Sequence, residues 1–251
     1  MRMIHAMGTA LLLAAGVSCG STGGALVTLP FRSGGQRTGG PQTFTTPSGW
    51  RVTLQTAKIA LGPFYFNHFP PSTQTFRSGL VIIQVTQQVI VDALDPSLRE
   101  LSGGADGETG SSVAVEIGLF PPDSTQPSTI RAQLGGNVGL VAGTATKGAT
   151  TLSFSGPITI DTSVATPTNP LLATQRVRGA AVDLVFTADS QALELRVDPT
   201  HWFDLVDFSD LLQGTLSNGV YTWGLRSTFL NSLVQGVKGE TSIYQFQLVP
   251  R

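Results

Sequence analysis

Two histidines and three closely spaced aspartates are the side chains best suited to chemistry once the first twenty residues are set aside. His68 lies in the aromatic stretch Gly62-Pro63-Phe64-Tyr65-Phe66-Asn67-His68-Phe69-Pro70-Pro71, and His201 precedes Asp204, Asp207 and Asp210. If both imidazoles converged with Asp204, they would present nitrogen and oxygen ligands of the kind that Zn²⁺ or Cu²⁺ accepts. A loop histidine and a polar residue in the first turn of a short helix explain His68 and His201 equally well. In a helix, Asp204 and Asp207 would stand one turn apart, a pair of carboxylates that would serve as general acid and base in glycoside hydrolysis. Solvated carboxylates between buried Trp202, Phe203, Leu205, Val206 and Phe208 account for them without catalysis. Phe64, Tyr65, Phe66 and Phe69 would stack on sugar rings or dock a partner protein if exposed, and would close a strand end if buried.

Other chemical patterns are absent. There is no phosphate-cradling glycine loop, no His-Glu-x-x-His helix and no EF-hand loop. Gly16-Val17-Ser18-Cys19-Gly20 has the spacing of a nucleophile elbow, but no strand precedes it. The reading is therefore non-enzymatic, with no cofactor.

The elements that would position these residues are strands. Val113, Val115, Ile117 and Leu119 alternate with smaller or polar residues, as do Leu152, Phe154, Ile158 and Ile160. Val182, Leu184 and Phe186, then Leu193, Leu195 and Val197, and finally Tyr244, Phe246 and Leu248 repeat the pattern. Alternation of this kind marks antiparallel strands with one buried face. Hairpins are expected around Ala188-Asp189-Ser190-Gln191 and at Asn218-Gly219, whose residues suit the positive φ angles of a type I′ turn. Leu80–Val91 is apolar on both faces and reads as a central strand or strand pair. The glycine-rich stretch Gly103–Ser112 reads as an exposed loop. Asp198-Pro199 should start a short helix, and Ser227 should cap another carrying Phe229, Leu230, Leu233, Val234 and Val237. The expected fold is all-β: one antiparallel β-sandwich, Ig-like or jelly-roll-like, over residues 50–251, with one or two short helices near the C-terminus.

Composition agrees. Of 251 residues, 41% are hydrophobic and 12% charged, against ~25% charged in ordinary soluble domains. The formal net charge of −1, without long basic runs, removes the basis for nucleic-acid binding.

The N-terminus carries an address. Arg2 precedes an uncharged apolar run, Ala6 to Val17, which closes on Gly16-Val17-Ser18-Cys19-Gly20; Cys19 is the only cysteine. About a dozen apolar residues cannot cross ~30 Å of hydrocarbon, so the run reads as a signal-peptide core over residues 1–18. The segment resembles the signal peptide of bacterial lipoproteins, with Gly16 where Leu is usual. That resemblance implies lipidation of Cys19, membrane anchoring through it and, because Gly20 is not Asp, the outer membrane. Residues 19–49, rich in Gly, Ser and Thr, would form a tether, with a first strand at Ala25–Phe31 as the alternative. Ser48–Leu54 and Ala60–Tyr65 also resemble a strand–loop pattern of exported lipoproteins, some with His-rich metal loops; this chain has no such loop. The expectation is a lipid-anchored envelope protein that binds a protein or carbohydrate partner or serves structurally. The rivals are a metal-binding protein using His68, His201 and Asp204, and a hydrolase using Asp204 and Asp207.

Overall fold

The computed structural model describes residues 23–36, 38–70, 79–124, 126–164, 174–189, 191–239 and 242–250. The signal-peptide segment and Cys19 lie outside them. Strands dominate and form two sheets. In spatial order the larger sheet runs β11 (Arg176–Phe186), β8 (Gly110–Gly118), β4 (Phe64–Asn67), β5 (Val81–Val85), β7 (Arg99–Glu108), β1 (Leu26–Gly35), β12 (Gln191–Val197) and β15 (Tyr244–Pro250). The smaller runs β13 (Thr215–Ser217), β14 (Val220–Thr222), β10 (Thr150–Ile158), β9 (Gly139–Lys147), β3 (Arg51–Leu61) and β2 (Gln42–Thr45), with β6 (Val89–Asp92) also pairing β3.

The expectation of a purely antiparallel sandwich is corrected. β1 runs parallel to β12, from Phe31 opposite Leu193 to Gly35 opposite Val197, and β10 runs parallel to β14. The hairpin expected at Ala188–Gln191 does not form, because β11 pairs with β8 while β12 crosses to β1 and β15. Alternation fixes which face a strand buries and leaves its partner open. The larger sheet also curls: its end strands β11 and β15 approach within 8 Å at Cα, which leaves it nearly closed and barrel-like.

Local chemistry explains several other departures. Pro30 has no N–H to donate, and it falls where the β1–β7 register shifts between Leu29 and Phe31. Leu80–Val91 yields two strands that do not pair: β5 joins the larger sheet and β6 the smaller. Gly103–Ser112 is strand on both sides of Thr109 rather than a loop. Gly107 explains this, because a Cβ there would run into the Ile82 carbonyl, so the neighbouring backbone tolerates only glycine. Residues 26–35 and 42–45 of the expected tether are β1, which is the first strand given as the alternative, and β2, an edge strand paired with β3.

The alternating segments form strands β8, β10, β11, β12 and β15, and a short 3₁₀ helix, Thr200–Phe203, follows Asp198-Pro199. Two finer expectations also stand as made. Asn218 (φ 51°) and Gly219 (φ 77°) turn β13 into β14, with Ser217 opposite Val220. Ser227 caps helix α2 (Thr228–Val237), its Oγ accepting from the Leu230 amide at 3.2 Å. A further helix, α1 (Ser128–Leu134), was not expected.

One apolar core draws on both sheets. Phe31, Phe64, Phe66, Phe186 and Phe246 interlock inside the larger sheet, Phe31 against Phe64 at 5.2 Å between centroids. Phe154, Phe203, Phe208, Phe229 and Trp223 form a second aromatic group beneath α2.

Candidate functional site

Helix α2 has two faces. Phe229, Leu230, Leu233, Gly236 and Val237 are buried; a Cβ at Gly236 would strike the Trp202 carbonyl, so glycine lets the helix sit on the 3₁₀ turn Thr200–Phe203. The other face presents Asn231, Val234, Gln235 and Lys238 to a cleft of about 520 Å³. Ile160, Asp161, Ser163, Thr174 and Arg226 line the rest of it.

The cleft is polar and biased toward positive charge. Arg226 donates to Asp161 Oδ2 and Ser163 Oγ, both at 3.3 Å. The Ser163 hydroxyl and amide, with Arg226 beyond them, hold the Asp161 carboxyl below its usual range. Among the described residues, the one carboxylate lining the cleft is thus already engaged. Lys238 differs: burial and, secondarily, the Arg178 charge push its ammonium below the usual lysine range. Among the described residues no acceptor is hydrogen-bonded to its Nζ. A half-buried cation of this kind favours an arriving anion that restores its lost hydration. Asn231 and Gln235, one helical turn apart, add side-chain amides beside it.

The residues singled out in the sequence are placed elsewhere. Phe64 and Phe66 are buried in the larger sheet. Tyr65 points to the opposite face with the Arg176 guanidinium 5.7 Å above its ring, and Phe69 is exposed with the His68 ring against its edge. His68 Nδ1 donates to the Ser111 carbonyl at 2.9 Å, whereas His201 Nδ1 donates to Asp204 Oδ2 at 2.9 Å. Among the described residues no group of three His, Cys, Asp or Glu side chains is placed to hold a metal, so His68 does not join His201 and Asp204. His68 belongs to the end of the larger sheet and His201 to a turn under α2.

Asp207 is not helically stacked on Asp204; its backbone is extended and it caps the 3₁₀ helix Phe208–Gln213. Its Oδ1 accepts from the Ser209 amide and hydroxyl and from Trp50 Nε1 at 3.0 Å. These donors, with Lys147 adding a positive charge, keep the carboxyl below its usual range, the opposite of what a general acid needs.

The sequence did carry a trace of the cleft: Asn231, Gln235 and Lys238 recur at i, i+4 and i+7 opposite the apolar stripe of α2. Val234, read with that stripe, packs partly buried against the core and also lines the cleft wall. In comparisons with known proteins, no family model, no curated protein and no solved structure matches this chain.

Proposed function

We propose that this chain is a lipid-anchored protein of the bacterial cell envelope, held at the outer membrane through Cys19, whose β-rich body is a non-enzymatic binding module. In this reading the two sheets are a β-sandwich variant that serves as a rigid scaffold, and the α2 cleft takes a small organic anion. The observation that carries the binding assignment is Lys238, an ammonium at half-buried depth with no acceptor on its Nζ among the described residues. The apolar leader ending at Cys19 supports the anchor.

Thermal melts of the full chain with citrate or phosphate, at ionic strength matched with chloride, test the cleft. A bound anion at 100 times its dissociation constant stabilises by ~2.7 kcal/mol, which raises the melting temperature measurably. The rise should vanish in Lys238→Met. It should also fade as pH climbs through the lowered native pKa of Lys238, below the range in which ordinary lysines lose their proton. An equal rise in the variant would refute the assignment. For the anchor, Cys19→Ala should leave the protein unprocessed or move it out of the membrane fraction, because stable attachment depends on acyl chains.

A further inference from the structure

Among the described residues, five of the nine exposed large apolar side chains share a rim of the larger sheet. Strand register brings the start of β1, the ends of β4, β7 and β11, and the starts of β5 and β8 to the same edge. Leu26 lies opposite Glu108, the Thr109 amide donates to the Ala25 carbonyl, the His68 amide donates to the Leu80 carbonyl, and Val185 lies opposite Ser111. At this edge Leu26 is 85% exposed, Phe69 60%, Val185 55%, Leu80 47% and Val113 41%. At the opposite rim, where β1 ends and β7 begins, Asp95, Ser97 and Arg99 stand instead, and none of the described large apolar residues there is exposed. Exposed apolar side chains clustered at one edge mark an interaction surface.

The chain supplies the occupant. β1 begins seven residues after Cys19 (26 − 19 = 7), so even a fully extended connection spans no more than ~25 Å. We infer that the Leu26–Phe69–Leu80–Val113–Val185 rim rests on the lipid bilayer, its apolar side chains entering the headgroup–acyl boundary. The inference builds on the anchored reading, since a tether this short holds that rim toward the surface from which it emerges. Glu108 and Asp189 sit at the same edge. Among the described residues of this edge there is no Lys or Arg to draw it to anionic lipid, so the contact is apolar and insensitive to salt.

Phe69→Trp and Ser97→Trp place a reporter on each rim of the full chain, which is then reconstituted from membranes into phosphatidylcholine vesicles with brominated acyl chains. The emission added at position 69 should be lost to quenching and that added at position 97 should not, at low and high salt alike. Equal quenching at both positions, or at neither, in protein whose Cys19 is acylated by mass spectrometry would overturn the rim contact and leave the anchor standing. An unmodified Cys19 would overturn the anchor, and the same tryptophan pair mixed with vesicles would then decide the rim alone. Dimerisation in sedimentation that shields position 69 from lipid would assign the rim to a second copy of the chain and overturn the bilayer contact.

Discussion

Phe66 and Phe246 meet edge to face, ring centroids 5.1 Å apart and planes at 90°, although they stand on the third and eighth strands of the larger sheet. In a flat sheet, five strand spacings would separate them by roughly 24 Å. Their contact records the curl that brings β11 toward β15, and Phe186 and Phe64 complete the packing around them.

Phe66→Ala should therefore cost about 3–5 kcal/mol, since the void opens among rings that cannot collapse without uncurling the sheet. Phe69→Ala, three residues along and exposed, should change stability by less than about 0.5 kcal/mol. Urea midpoints of the two variants check the contrast.

Asp207 ties the β2–β3 turn to the C-terminal segment. It receives the Trp50 indole N–H, while Ser48 Oγ donates to the Val206 carbonyl at 2.8 Å and Lys147 Nζ to the Ser48 carbonyl at 2.8 Å. Asp207→Ala should cost about 1–2 kcal/mol through the lost cap and the unpaired indole. Because the native carboxyl is held below its unfolded value, its contribution is complete above the ordinary carboxylate range. That contribution disappears as pH falls through the lowered native value. The stability gap between wild type and variant, from denaturant curves across pH, should be full at neutrality and close in acid.

Gly219 has positive φ and nothing within 4 Å of where a Cβ would stand. Gly219→Val should then cost about 1–3 kcal/mol from backbone strain alone. Gly219→Asn, which tolerates the left-handed region, should recover most of it. Equal midpoints for the Val and Asn variants would show that the turn relaxes freely.

What could be read from the chain followed how local each feature is. The Asn218-Gly219 turn and the Ser227 cap depend on neighbours in sequence, and both stand. The alternation in Val182–Phe186 and Leu193–Val197 fixed two strands but not their partners, because a strand that buries one face pairs equally well on either edge. Gly103–Ser112 read as a loop because glycine lowers strand propensity, and only the closeness of the Ile82 carbonyl explains its place in a sheet. The cleft was less legible still, since it needs Asp161 and Lys238, 77 positions apart (238 − 161), around one cavity.

The position of β1 sets an order for folding. Phe31 waits for Leu101, 70 residues on (101 − 31), and for Leu193, 162 residues on (193 − 31), before both of its edges are covered. β1, made before either partner, is completed late, a long-range topology that folds slowly and leaves sticky edges exposed meanwhile. Strand β15, Tyr244–Pro250, then covers the remaining side of β12. A chain cut short before β15 would leave β12 an open template for other strands, so its loss should appear as aggregation during biogenesis rather than as a missing activity.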